Sequence, residues 1–371
     1  MKLKIKRTVL LEALNNVSKA ISTKNIIPIL SGIKFELLKD KLVITASDND
    51  ITIQTSIDKG ENLIIDGTGN IVIKGKYILD IIRKLDSEFI NIDTVDDHKI
   101  MIYTDNSEFS LNGIDAKEYP DINLNLSDDF AEMKISDFKS MISQTNYACS
   151  MDEARIVLTG VNIKINNDLL ECSATDSYRF SLRKFNLSKK VSSDIDIIIP
   201  SKNLNELMKL LSFSEDMMEL HFFSNKIIFR FNNIIFQSRL INGTYPNTKN
   251  LIPTESLFDL KLNVNDFYNI VDRASILNDD SDNNIVTLEI KDKLMKVTSM
   301  SLEIGKVEEK MNVDCSDEIK ISFSAKYMMD ALKTIKSNDV ILTFVGEIKP
   351  ILLKNSDSDD LVSLILPIRT Y

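Results

Sequence analysis

The chain has 371 residues, 43% of them hydrophobic, with 45 Lys and Arg against 55 Asp and Glu for a net charge of −10. That length suits two to three domains of ordinary apolar content, and the acidic balance argues against a tight, general nucleic-acid binder. No apolar run reaches transmembrane length, and Cys149, Cys172 and Cys315 are too few and too widely spaced for a disulfide framework or a zinc site, which points to a reducing cytoplasm.

The opening MKLKIKRTVLLEAL is too charged and too quickly amphipathic for a signal peptide. Val9 to Ala20 (VLLEALNNVSKA) predicts an amphipathic helix. A strand-like run, IIPILSGIKFEL, starts at Ile26, and LVITASDNDITIQTSI follows, alternating and broken by Asn and Asp turns. A second helix, KYILDIIRKL, starts at Lys76, and Tyr119-Pro120-Asp121 enters a linker.

The same order then returns. Asp137 to Ala148 (DFKSMISQTNYA) predicts a helix with Ser136 at its N-cap. ARIVLTGVNIKI follows from Ala154, with Gly160 where the first run has Gly32, and Ala174-Thr175-Asp176 answers Ala46-Ser47-Asp48. The helix KNLNELMKLL starts at Lys202, LHFFSNKIIFRFNNIIFQSRLI reads as strands, and Tyr245-Pro246-Asn247 enters a second linker. The third round has Asp266 to Leu277 (DFYNIVDRASIL) with Asn265 at the N-cap, NNIVTLEI from Asn283, Thr298-Ser299, KYMMDALKTI from Lys326, and the terminus LILPIRTY. The second helices start about 125 residues apart, so the chain repeats a domain-sized unit three times. The expected fold class is α+β, with each domain placing two helices on antiparallel sheet. The expected domains are residues 1–126, 127–253 and 254–371, divided near Leu126 and Pro253.

Each second helix carries a base, an acid and a base at i, i+4 and i+7: Lys76, Asp80, Arg83; Lys202, Glu206, Lys209; Lys326, Asp330, Lys333. Those offsets share one face. Ile78, Ile82, Leu85; Leu204, Met208, Leu211; and Met328, Leu332, Ile335 form the opposite, apolar stripe. The bland reading of one such face is a solvated surface with an i,i+4 ion pair. Recurrence in one register sets beside it, on equal terms, a face turned to phosphate with the acidic remainder outside, although common ancestry alone would preserve some of the pattern.

Catalytic signals are absent. His98 and His221 stand without partner motifs, and no P-loop, GxGxxG, HExxH, GxSxG or CxxC pattern occurs. The runs Asp279-Asp280-Ser281-Asp282 and Asp357 to Asp360 read as solvated loops. No enzyme activity, cofactor or metal is expected. The alternative is a metal-dependent nucleic-acid phosphoesterase built from carboxylates distant in sequence.

Taken with the repeat, IIPILSGIKFEL, ARIVLTGV, ATDSYRFSL from Ala174, NGTYPNTKNLIP from Asn242 and LILPIRTY resemble the bacterial sliding clamp family, the beta subunits of DNA polymerase III, over the whole length. The resemblance implies three processivity-fold domains per chain and a head-to-tail homodimeric ring. Such a ring encircles duplex DNA without reading its sequence. It tethers the replicative polymerase and serves the clamp loader, other polymerases and repair factors. It implies a cytoplasmic protein, nucleoid-associated during replication, with no membrane role.

By the same resemblance, Lys24, Lys76, Arg83, Lys202, Lys209, Lys326 and Lys333 face DNA. A pocket for short extended peptides, usually bearing a Gln and an apolar or aromatic pair, would comprise Leu158, Thr175, Ser177, Tyr178, Arg179 and Phe180, then Pro246, Asn250, Leu251, Ile348 and Pro350, and finally Leu364, Leu366, Pro367 and Ile368. The chain departs from many relatives at Ser177-Tyr178, where Gly-His is common, and at Asn250, where Arg is common. The dimer seam would use Phe109 and Leu111 against Ile276 and Leu277.

Overall fold

The computed structural model describes residues 1–21, 27–95, 98–212, 214–277, 284–301 and 303–369. Lys24 and the run Asp279 to Asp282 lie outside the described residues. The first repeat comprises β1 (Lys2–Lys6), α1 (Arg7–Val17), β2 (Gly32–Leu37), β3 (Lys41–Ser47), β4 (Ile51–Asp58), β5 (Leu63–Gly67), β6 (Gly69–Lys74), α2 (Gly75–Lys84), β7 (Phe89–Val95), β8 (Lys99–Tyr103) and β9 (Glu108–Asn112). The second comprises β10 (Phe130–Lys134), α3 (Ile135–Thr145), β11 (Gly160–Asn166), β12 (Leu169–Thr175), β13 (Arg179–Asn186), β14 (Ile195–Pro200), α4 (Ser201–Met208), β15 (Met217–Phe222), β16 (Lys226–Phe231) and β17 (Ile234–Arg239). The third comprises β18 (Phe258–Asn263), α5 (Val264–Ala274), β19 (Ile285–Lys291), β20 (Leu294–Ser301), β21 (Gly305–Asn312), β22 (Ile319–Ser324), α6 (Ala325–Leu332), β23 (Asp339–Phe344), β24 (Ile351–Asn355) and β25 (Leu361–Ile365).

Two compact units result, one of Met1–Ser136 with Lys202–Leu240, the other of Asp137–Ser201 with Ile241–Tyr371. The first holds a five-stranded sheet, β5-β1-β7-β8-β9, and an eight-stranded sheet, β10-β15-β16-β17-β4-β3-β2-β6. The second holds the eight-stranded sheet β14-β11-β12-β13-β25-β24-β23-β18 and the four-stranded sheet β21-β20-β19-β22. Each eight-stranded sheet is therefore two four-strand halves from successive repeats. The joins are β17 on β4, with Phe236 opposite Ile53, and β25 on β13, with Ser363 opposite Ser181. All described strand pairs are antiparallel, and inward apolar residues alternate with outward polar ones, as half-buried strands require.

The matching glycines have a steric cause. A Cβ on Gly32 would lie 2.4 Å from Val72 Cγ1, and one on Gly160 would lie 2.6 Å from the Ile199 carbonyl. Each opens a strand pressed against its neighbour, β6 or β14. The expected strands begin there and not earlier. Pro28–Ser31 is a 3-10 turn, in which the Ser31 hydroxyl donates to the Pro28 carbonyl at 2.7 Å, and Glu153–Thr159 is likewise helical in type, broken at Arg155. Pro28 has no backbone N–H and a fixed φ, which suits the start of such a turn.

Two expected N-caps are corrected. α3 begins at Ile135, so Ser136 lies inside it. The cap of α5 is Asn263, whose side-chain oxygen accepts from the Asn265 and Asp266 amides at 3.0 and 3.1 Å. Both helices leave their preceding strand without a loop, which shifts their starts ahead of the expected caps. Of the stripe expected for α4, Leu204 and Leu211 are buried, and it differs at Met208, where Leu207 is buried instead. Leu204 and Leu207 are fully buried while Met208 is half-buried, because buried Asn203 donates to the Ser238 hydroxyl at 2.9 Å and fixes the helix at that angle.

Candidate functional site

The second helices present their bases to solvent: Lys76, Arg83, Lys202, Lys209, Lys326 and Lys333 are all exposed, and the intervening acids are half-buried. The i,i+4 pairing of the bland reading does not form on these helices among the described residues. Asp80 pairs with Arg83 at 3.6 Å and Glu206 with Lys209 at 2.7 Å, both at i,i+3. Lys202 reaches Asp50 at 2.6 Å. Exposed pairs of this kind contribute little and can exchange for another anion. In the third helix Asp330 turns to Arg179 at 2.8 Å, so Lys326 and Lys333 make no ion pair among the described residues. Lys333 lies 5.7 Å from the Tyr268 ring centroid. A basic residue the sequence reading missed is Lys19, near Glu206 and Lys209, whose pKa is lowered by burial. It follows α1 in a short 3-10 turn, outside the repeated register that marked the other bases.

The residues assigned to a peptide pocket all belong to the second unit and differ in burial. Leu158, Phe180 and Leu364 are buried strand or turn residues. Tyr178, Leu251, Ile348 and Leu366 stand 62%, 43%, 64% and 37% exposed. Pro246, Pro350, Pro367 and Ile368 are half-buried, and Ser177 and Asn250 are exposed.

The loop between β12 and β13 is held firmly. The Asp176 carboxylate accepts from the Tyr178 and Arg179 amides at 2.9 and 3.0 Å, the Thr175 hydroxyl donates to the Arg179 carbonyl at 2.6 Å, and Ser177 adopts φ 79°. The Thr175 amide donates to the Tyr245 hydroxyl at 3.0 Å, and Arg155 donates to the Ser177 hydroxyl at 3.0 Å. Arg179 is absorbed by the structure itself. It pairs with Asp176 at 2.9 Å and Asp330 at 2.8 Å, and its guanidinium lies 4.4 Å from the Tyr327 ring and 5.3 Å from that of Tyr147. Its role here is to fix the loop. Arg155 was not singled out in the sequence, and Asp176 and Asp330 stood out there only as part of a repeated motif and as the acid of a helix face, because their part in holding this loop depends on contacts across the fold.

Phe109 is exposed and Leu111 half-buried on β9, the last strand of its sheet. Ile276 is 71% exposed and Leu277 half-buried after α5.

The His221 ring is buried between the Ser127 carbonyl at 2.9 Å and Glu219 at 3.0 Å, and His98 is exposed. In the loop of Asp357 to Asp360, Asp360 pairs with Arg183 and accepts from Ser358. Burial pushes the Cys149 and Cys172 thiols up to about 12, far from thiolate at neutral pH. Among the described residues no His, Cys, Asp and Glu cluster is placed to hold a metal, and no helix is long and apolar enough to cross a membrane.

Three family models tile the chain. The DNA polymerase III beta subunit N-terminal domain matches residues 1–125, the central domain 132–247 and the C-terminal domain 249–369. The chain belongs to the DNA polymerase III beta subunit family. Within that family it is 41% identical over 377 residues to the beta sliding clamp of Staphylococcus epidermidis and 40% identical over 379 residues to that of Staphylococcus aureus, with all of each chain covered. Among solved structures it is similar to the DNA polymerase sliding clamp of Bacillus subtilis, with TM-score 0.96 and 36% identity over the whole of both chains. The DNA polymerase III beta chain of Streptococcus pneumoniae gives TM-score 0.95 at 32% identity, also over both whole chains. The three α+β repeats are thus the three domains of a beta subunit. This membership displaces the phosphoesterase alternative, since the beta subunit is a processivity factor without catalysis.

Proposed function

We propose that the chain acts as a DNA sliding clamp. Two copies join head to tail as a ring around duplex DNA and tether the replicative polymerase, with no chemistry of their own. The observation that carries this reading is the strand pairing between repeats. β17 and β25 hold the same place in their repeats as β9, and β4 and β13 the same place as β21. Inside the chain these positions join, β17 on β4 and β25 on β13. β9 and β21 have no such neighbour among the described residues. Two open edges of the same complementary kind suit a heterologous contact between copies. Phe109 and Leu111 lie on one edge, and Ile276 and Leu277 belong to the repeat that carries the other.

DNA contact is assigned to Lys24, Lys76, Arg83, Lys202, Lys209, Lys326 and Lys333. Scattered bases on helix faces give phosphate contacts without base readout, which permits sliding. Topology then supplies retention. The groove floored by Leu158, Phe180 and Leu364 and rimmed by Tyr178, Leu251, Ile348 and Leu366 is assigned to short extended peptides of the polymerase, the clamp loader and repair factors. Tyr178 supplies an aromatic wall to that groove. Domain divisions are placed near Leu126 and Pro253, and the site of action is the cytoplasm, at the nucleoid during replication.

The test is retention on DNA. Protein loaded by its cognate loader and ATP onto nicked circular plasmid is passed over a sizing column in moderate salt, before and after the circle is cut. Co-elution with the circle and release from the linear form is expected. Absence from the circle, with a loader shown to be active, overturns the reading.

A further inference from the structure

The loop that shapes the Phe180 groove has a copy in the first repeat. The Asp48 carboxylate accepts from the Asp50 and Ile51 amides at 3.0 and 2.8 Å, as Asp176 does from Tyr178 and Arg179. The Ser47 hydroxyl donates to the Ile51 carbonyl at 2.9 Å, as Thr175 does to Arg179, and Asn49 takes φ 81° where Ser177 takes 79°. The strand joins repeat as well. The Arg239 amide donates to the Asp50 carbonyl at 2.9 Å, and the Leu366 amide donates to that of Tyr178 at the same distance. Beneath each loop lies a matching small core: Leu30, Val72 and Tyr119 in one, Leu158, Ile198 and Tyr245 in the other.

At this copied position the first unit has an open cavity of about 230 Å³ lined by Ser47, Asn49, Thr52, Lys226, Gln237 and Arg239. The paired registers relate the linings residue by residue. Thr52 stands where the other groove has Phe180, Lys226 where it has Pro350, Gln237 where it has Leu364, and Arg239 where it has Leu366. The backbone frame is kept while these four apolar positions are replaced by hydrogen-bonding groups and two cations, with Leu30, Pro120 and Ile122 left as the apolar part of the lining.

The cations are not neutralised. Lys226 donates to the Asn123 carbonyl and to Gln237 Oε1 at 3.1 Å and lies 5.1 Å from the Phe223 ring centroid. None of these is an anion, and burial lowers the Lys226 pKa. Arg239 is exposed and makes no ion pair among the described residues. Among the described residues of the lining Asp121 is the one acid, against these two bases. Asn49, Ser47, Thr52 and Gln237 add donors and acceptors suited to a peptide main chain.

We propose that this cavity is a second peptide site, selective for an extended segment whose acidic side chain is held by Lys226 and Arg239. The assignment of a peptide, as opposed to any other anion, rests on reading the Phe180 groove as a peptide pocket. Selection comes from the exchanged lining: an apolar side chain would leave Lys226 and Gln237 without a ligand partner, while a carboxylate gains charge-assisted hydrogen bonds.

The test follows Leu and Ile methyl resonances of the full-length protein during titration. The probes are the end-blocked peptide Ser-Glu-Ser-Gly, its Gln twin, acetate, and an end-blocked Gln-Ala-Leu-Phe peptide. The Glu peptide is expected to shift the Leu30 and Ile122 methyls saturably, with the Gln twin and acetate each weaker by about fivefold or more. Lys226→Gln and Arg239→Gln are each expected to weaken the Glu peptide by at least about fivefold, with an unchanged methyl spectrum of the free protein. Equal binding of Glu and Gln twins, or undiminished binding in both variants, overturns the proposal. Acetate binding as tightly as the Glu peptide overturns it too, leaving an anion site only. The Gln-Ala-Leu-Phe peptide is expected to move the Leu364 and Ile348 methyls. Its failure would remove the reading of the Phe180 groove, while the Glu peptide still judges this cavity by its own resonances.

Discussion

Arg179 sits at the point where stability and recognition meet. Its side chain is 10% exposed and pairs with Asp176 at 12% and Asp330 at 27%. Removing one member of a largely buried pair leaves the others uncompensated, so Arg179→Ala is expected to cost about 3 kcal/mol, read as a fall in the urea midpoint. An unchanged midpoint would mean that the two carboxylates find other partners. Tyr178 is the opposite case. It is 62% exposed, so Tyr178→Ala should leave the midpoint within about 0.5 kcal/mol. It should weaken capture of the polymerase by roughly tenfold in a surface-binding titration, as loss of an aromatic anchor does. The sequence identified Tyr178 and Arg179 together from one motif. It could not separate them, since Asp330 lies 151 positions from Arg179 and the tyrosines that flank it come from two other elements.

At the scale of elements, the three basic faces were legible because a helix imposes its period on charge as well as on apolar residues. The starts of α3 and α5 were less legible. Asn265 has the composition of a cap, yet Asn263 performs the capping, because strand and helix abut there. The register of α4 depended on the buried pair Asn203 and Ser238, which no local pattern announces. The matched glycines were visible as a coincidence of position, and their reason appears only with the Ile199 carbonyl, which a Cβ on Gly160 would meet at 2.6 Å. Gly160→Ala must therefore move backbone, and a loss of about 2 kcal/mol is expected by chemical denaturation. For the helix faces, the triple change Lys76→Glu, Lys202→Glu, Lys326→Glu should weaken binding to a short linear duplex by about tenfold or more at low salt. The slope of log affinity against log salt should become shallower by about 0.9 for each phosphate that is no longer neutralised. Rings already on a circle should remain there, since topology holds them. An unchanged slope would mean that these helices do not touch DNA.

For the whole molecule, the repeat predicts how two copies meet, down to the residue. Within each repeat the ladders run in step from the strand before the first helix: Leu3 faces Ile92, Ile92 faces Ile102, and Ile102 faces Phe109. In the second repeat the same steps lead from Ala131 through Leu220 and Phe229 to Phe236. Phe109 is thus the counterpart of Phe236, which faces Ile53. Ile53 follows Thr52, which faces Ser47, and Val307 follows Lys306, which faces Met300 in the matching place of β20. Continuation of the pattern sets Phe109 of one copy opposite Val307 of the next. Directly opposed residues in an antiparallel ladder have Cα atoms about 4.5–5.5 Å apart, within disulfide reach. The double variant Phe109→Cys, Val307→Cys should therefore oxidise to a species of twice the 42.1 kDa chain mass on a non-reducing gel, closed at both seams. The native Cys149, Cys172 and Cys315 are buried and should stay reduced, so either single variant serves as the control. Shifting one member by a residue, as in Phe109→Cys with Lys306→Cys, points the two side chains to opposite faces of the sheet and should cross-link poorly. A better yield from the shifted pair would show that the seam slips relative to the internal joins, and no dimer from either pair would place the contact elsewhere.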